Sequence, residues 1–162
     1  MEKTPIVIGY RHTGIITKDI KKSLDFYHNI LGLEVIQEFT DTSDYINEIT
    51  GLKGAEAHFI KLKAKDETVL ELLEYRTHPT NPLESSIINV GVCHIAFRVA
   101  NAEIAYDKLV ENSVKVLSRP VLSSEGIAKV FFCLDPDNVR VELVEMLNWN
   151  NVSQSFQHVA AQ

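Results

Sequence analysis

Four residues of this 162-residue chain have the types and spacing to do chemistry: His12, Glu71, His94 and Glu142. Glu71 stands in "LELLEY" (70–75) and Glu142 in "VELVEM" (141–146). Both are short Leu- and Val-rich runs that read as strands rather than free-standing helices. Side chains alternate across a strand, so Glu71 shares a face with Val69, Leu73 and Tyr75, while Glu74 points the other way with Leu70 and Leu72. A carboxylate placed like Glu71 is bound for the interior, where its charge is costly unless paired, hydrogen-bonded or bound to a metal. His12 and His94 each open a strand that leads into a helix. Two neutral imidazoles and two carboxylates converging on one concave surface would make a site of borderline hardness. It would suit Zn, Ni, Co, Mn or Fe(II), with open positions for water or substrate. His58, in "AEAHFIKL", competes on residue type but has no histidine counterpart in the second half.

The elements that must position these residues are written twice. "HTGIITKDIKKSLDFYHNILGLEVI" from His12 aligns with "HIAFRVANAEIAYDKLVENSVKVL" from His94, an offset of about 82 residues. Asp19 and Asn101 stand where each copy needs a helix cap. Ile20, Leu24, Tyr27 and Leu31 form the apolar stripe of the first helix, with Gly32 as its stop. Ile104, Tyr106, Leu109 and Val110 form the stripe of the second. Each helix is followed by three strand candidates: "LEVIQEF", "AEAHFIKLK" and "TVLELLEY", then "VKVLSRPVL", "AKVFFCL" and "VRVELVEM". The predicted fold is therefore α+β, two tandem βαβββ modules. Module one covers about 8–76, a linker with Pro79, Pro82 and a Ser pair about 77–89, and module two about 90–146. An insertion near "TSDYINEITGLKG" lengthens the first copy. In the tail, 147–162, Trp149, Val152, Phe156 and Val159 recur at roughly helical intervals and are read as packing residues.

Composition excludes several partners. A net charge of −6, from 16 basic and 22 acidic residues with no basic run, gives no footprint for nucleic acid. No apolar stretch reaches the length of a signal-peptide core or a membrane span, so a cytoplasmic location without membrane association is expected. Cys93 and Cys133 form no Cys-x-x-Cys pair and are expected to be reduced thiols.

"HTGIITKDIKKSLDFYHNILGLEV", "LELLEY", "CHIAFRV" and "LDPDNVRVELVE" together resemble the vicinal oxygen chelate superfamily. That superfamily includes lactoylglutathione lyase (glyoxalase I), methylmalonyl-CoA epimerase, extradiol dioxygenases, and bleomycin- and fosfomycin-resistance proteins. The resemblance spans roughly residues 8–146. It implies a cupped eight-stranded mixed sheet around one divalent metal, with His12, Glu71, His94 and Glu142 as ligands, and a homodimer that completes or flanks the site. Extradiol dioxygenases are similar at the two histidines and the final glutamate only, so Glu71 points to the lyase and epimerase branch. On that branch the substrate is a small molecule chelated through two oxygens, Glu142 is the implied base, and Glu71 its partner. The glutathione-using members hold the peptide with two Arg and an Asn where this chain has Ile16, Val90 and Tyr75. The anchors that the resemblance implies for a glutathione conjugate are therefore absent. Arg98, four residues after His94, and Tyr75 are the candidate substrate contacts. An Fe(II) dioxygenase and a drug-binding protein without catalysis are the alternative readings.

Overall fold

In a computed structural model, residues 5–81 and 86–147 are described. The predicted tail residues Trp149, Val152, Phe156 and Val159 lie outside them, as do Pro82 and Ser85 of the linker. The chain divides into two compact units, Met1–Pro82 and Leu83–Gln162. Among the described residues no helix is long and apolar enough to cross a membrane.

The first unit runs β1 (Thr13–Ile16), α1 (Ile20–Leu24), a π-helical segment (Asp25–Ile30), β2 (Glu34–Asp41), α2 (Asp44–Thr50), β3 (Ala57–Lys63) and β4 (Val69–Tyr75). Its sheet has the order β1-β4-β3-β2, with β1 parallel to β4 and the other pairs antiparallel. The second unit runs β5 (Ile95–Arg98), α3 (Ala102–Glu111), β6 (Val121–Leu122), β7 (Ala128–Leu134) and β8 (Arg140–Met146). It repeats the pattern in the order β5-β8-β7-β6, again with a parallel pair, β5 and β8. Each unit is thus a βαβββ module with a four-stranded mixed sheet, and α2 occupies the predicted insertion. In both, the last strand in sequence lies inside the sheet and the first lies at its edge.

The helix starts show why each closing strand carries two glutamates. Asp19 accepts a hydrogen bond from the Lys22 backbone N–H at 3.2 Å, and Glu74 accepts one from the Ile20 N–H at 3.1 Å. In the second unit Asn101 accepts from Ile104 N–H at 2.9 Å and Glu145 from Ala102 N–H at 2.8 Å. Two of the orphan donors at each helix start are satisfied in the same way, one by a local cap and one by the sheet. The Lys22 N–H also holds the Asp19 carboxyl below its usual range. Truncating Glu74 or Glu145 to Ala is expected to destabilise its unit by about 1 kcal/mol, read as a lower urea midpoint at unchanged m-value.

Those helices cover the face opposite Glu71 and Glu142. Ile60, Leu62, Leu70 and Leu72 are buried there in the first unit, and Phe131, Cys133, Val141 and Leu143 in the second. A fully buried side chain of this size contributes roughly 1.5–3 kcal/mol. Three sequence expectations change. The first helix widens at Leu31, whose N–H bonds the Phe26 carbonyl at 2.9 Å, and this lets consecutive Phe26 and Tyr27 both face inward, edge to face at 4.8 Å. In α3, Ile104 and Val110 are 69% and 48% exposed, and the inward stripe is Ala102 and Leu109. "VKVLSRPVL" is not one strand: Val116 makes an isolated bridge to Cys133, and pairing resumes only at Val121–Leu122. Pro120 between them has no N–H to give a ladder.

Candidate functional site

Glu71 is buried on an inner strand, and its cost is met on two sides. His12 Nε2 lies 3.3 Å from Glu71 Oε2, and Lys61 Nζ lies 3.6 Å from Oε1. β1 runs parallel beside β4, with Gly14 opposite Glu71, which brings the residue just before β1 to the carboxylate. Lys61 is the direct cross-strand neighbour of Glu71 in β3, and its ammonium also stands 5.7 Å from the Phe39 ring centre.

The second unit repeats the pair. His94 Nε2 lies 3.3 Å from Glu142 Oε2, through the same parallel register, Ala96 opposite Glu142. The surroundings differ, because Phe132 takes the place of Lys61 opposite Glu142 and meets the His94 ring edge to face at 5.5 Å. The Glu142 side chain is 20% exposed against 11% for Glu71, so one carboxylate is anchored twice and the other once, nearer solvent. Cys93 Sγ lies 2.9 Å from His94 Nδ1, which leaves Nε2 as the ring nitrogen turned to the carboxylate. Neither unit, among its described residues, gathers three His, Cys, Asp or Glu donors at one point.

The donor set of each pair fits a borderline divalent ion: an imidazole and a carboxylate, one nitrogen and one oxygen, aimed at each other. A contact on the remote ring nitrogen, as Cys93 supplies to His94, is the usual way a metal-binding imidazole is oriented.

The remaining candidates are placed as follows. His58 pairs with Glu38 at 3.0 Å and contacts Arg76, and its cross-strand neighbour is Glu74, so it belongs to the face away from Glu71. Tyr75, four residues beyond Glu71, packs against the cluster of Ile46, Ala55, Ala57 and Phe59. It also helps line a cavity of about 350 Å³ with Lys18, Glu74, Arg76 and His78, whose lining does not include His12 or Glu71. Arg98 is exposed at the end of β5, opposite Val144. Lys61, Phe132 and Cys93 were missed as site neighbours. Pairing Lys61 and Phe132 with the glutamates required the strand register, which alternation within one strand does not supply.

The two thiols are unlike. Burial, with the nearby Asp135 charge second, pushes the Cys133 thiol up to about 12, whereas Cys93 is exposed. A thiol-selective disulfide reagent is expected to titrate Cys93 in the native protein and Cys133 only after unfolding. Above about pH 9 the unfolded chain loses the Cys133 proton that the folded chain keeps. Fewer protons are then bound in the unfolded state, so this group lowers stability as pH rises towards 12.

Known proteins share the sequence pattern and the fold of this chain. The glyoxalase/bleomycin resistance protein/dioxygenase superfamily profile matches residues 9–143. The chain is 30% identical over 141 residues to lactoylglutathione lyase of Schizosaccharomyces pombe, covering 82% of this chain and 46% of that protein; it spans about half that relative's length. It is likewise 30% identical over 135 residues to a Synechocystis sp. protein described as "Probable lactoylglutathione lyase", covering 83% of this chain and 92% of that one. Among solved structures, a glyoxalase family protein of Bacillus cereus superposes with a TM-score of 0.81 at 16% identity, covering 91% of this chain and 99% of that one. The fosfomycin resistance protein FosX of Listeria monocytogenes, solved with Mn(II) and sulfate, superposes with a TM-score of 0.57 at 18% identity over 86% of this chain and 93% of that one.

Proposed function

Because the chain belongs to the glyoxalase/bleomycin resistance protein/dioxygenase superfamily, we propose that it is a divalent-metal-dependent lyase or isomerase. It would remove a proton beside a chelated carbonyl of a small oxygenated metabolite. One observation carries the reading: each module sets a His Nε2 3.3 Å from a Glu Oε2, at equivalent places in the repeat. A repeat has no packing reason to keep both. The proposed ligands are His12, Glu71, His94 and Glu142, two from each module, gathered on one ion within one chain or between two chains of a homodimer. The naming of both relatives as lactoylglutathione lyase favours the lyase over the drug-binding and dioxygenase readings.

The ion, one of Zn, Ni, Co, Mn or Fe, would act as a Lewis acid that polarises the substrate carbonyl and acidifies the adjacent C–H. The residues divide the remaining work. Glu71, held by His12 and Lys61, stays in a fixed place. Glu142, with His94 beside it and more solvent around it, is free to take the proton and return it. His94 is held in orientation by Cys93. Ile16 and Val90 bring no charge where glutathione-using members carry Arg, so the expected anchors of a glutathione conjugate are absent, and a small oxygenated metabolite is the proposed substrate. Arg98 and Tyr75 are its proposed outer contacts, and the protein would act in the cytoplasm.

The test is metal content after reconstitution, joined to solvent-deuterium incorporation into a panel of hydroxy- and oxo-compounds, hemithioacetals and methylmalonyl-CoA. One ion per site with exchange into a substrate C–H supports the proposal. No retained divalent ion would overturn it in favour of a binding protein. Oxygen-dependent cleavage of catechols would overturn it in favour of a dioxygenase.

A further inference from the structure

Among the described residues, the Nε of Arg140 is the one buried side-chain N or O atom without a hydrogen-bond partner. Its position gives that orphan a meaning. Arg140 opens β8 two residues before Glu142, so the two side chains share a face. β5 and β8 run parallel with Ile95 opposite Val141, and continuing that register by one residue sets His94 beside Arg140. A permanently charged guanidinium therefore stands on the His94 and Glu142 face. The equivalent position in the first module is Val69, so only one half carries it.

A buried donor left unmade is costly, and native proteins rarely leave one without cause. The fork of a guanidinium matches a carboxylate in shape and charge, with two parallel N–H donors for two oxygens. Arg98 is a weaker candidate for the same ligand, because it lies farther along β5, opposite Val144, is exposed and already has a partner.

We propose that Arg140 is a carboxylate anchor, which takes a small 2-hydroxy or 2-oxo carboxylate onto the Glu142 face of the second module. This deepens the reading of the preceding subsection and rests on it for the role of the neighbouring hydroxyl or carbonyl oxygen. The carboxylate contact itself belongs to Arg140.

Lactate and hydroxyacetone test it, since they match in size and in their neighbouring oxygens and differ in charge. Their dissociation constants are measured by NMR titration of the full chain, metal-free and after Co(II) reconstitution. Wild type is expected to bind lactate more tightly than hydroxyacetone in both forms. Arg140→Gln is expected to weaken lactate about ten- to a hundredfold and to leave hydroxyacetone unchanged, with Arg140→Lys recovering part of the loss. Equal affinity for the two probes in wild type, or an equal loss of both in Arg140→Gln, overturns the proposal. Should Arg140→Gln fail to fold, Arg140→Lys decides: selective weakening of lactate supports the anchor, and no change in either probe overturns it. Failure of Co(II) to bind would count against the metal reading alone, because the metal-free titration still reports on Arg140.

Discussion

Glu142→Gln is expected to slow solvent-deuterium exchange into the substrate by about 10²- to 10⁴-fold, the usual worth of a positioned general base. The amide keeps the shape of the carboxylate and an oxygen for His94, so circular dichroism and the urea midpoint should stay near wild type. Glu142 is also a proposed ligand, so the assay is run at saturating divalent metal; there KM should move little while kcat falls, because the lost interaction belongs to the transition state. Glu71→Gln should behave differently. Glu71 is a cross-strand neighbour of Lys61 and is partnered by both Lys61 and His12, so its replacement leaves a mostly buried ammonium without its anion. Loss of stability and of metal should therefore precede any specific loss of proton transfer. Equal exchange rates in wild type and Glu142→Gln would remove Glu142 from the role of base.

The second large effect is expected at the imidazoles. His12→Ala and His94→Ala should each lower divalent-metal affinity by more than about a hundredfold, since even outer contacts to a ligand are worth 10- to 100-fold. Metal analysis after dialysis against a weak chelator reads this directly. The two variants should match, because the His–Glu separation is 3.3 Å in both modules. Both should fold, because His12 and His94 lie just outside their edge strands and neither is buried. An ion retained by either variant would place the metal elsewhere in the protein.

Much of this architecture was legible because the chain states it twice. The Asp19 and Asn101 caps, the four strands of the first module and the two last strands of the second stand where the repeat puts them. What escaped has physical causes. The π-helical turn depends on packing two neighbouring aromatics inward, which a period of 3.6 residues does not anticipate. Val116 and Val121 carry strand-forming side chains, but Pro120 interrupts the backbone ladder between them. Arg140 and Lys61 lay on readable faces, yet which residue stands across from which is fixed by pairing between distant segments. Glu74 and Glu145 are the subtlest case: strand alternation turned Glu74 away from Glu71, but its helix-capping task appears only once α1 is docked on that face.

The strand order carries one more consequence. Glu71 and Glu142 ride on strands ladder-bonded along both sides, whereas His12 and His94 sit at the mouths of border strands bonded along one. In the first unit a doubly partnered carboxylate on an inner strand thus faces an imidazole at the mouth of a border strand. If that pair holds an ion, a change of ionic radius is expected to be taken up at His12 before it moves Glu71.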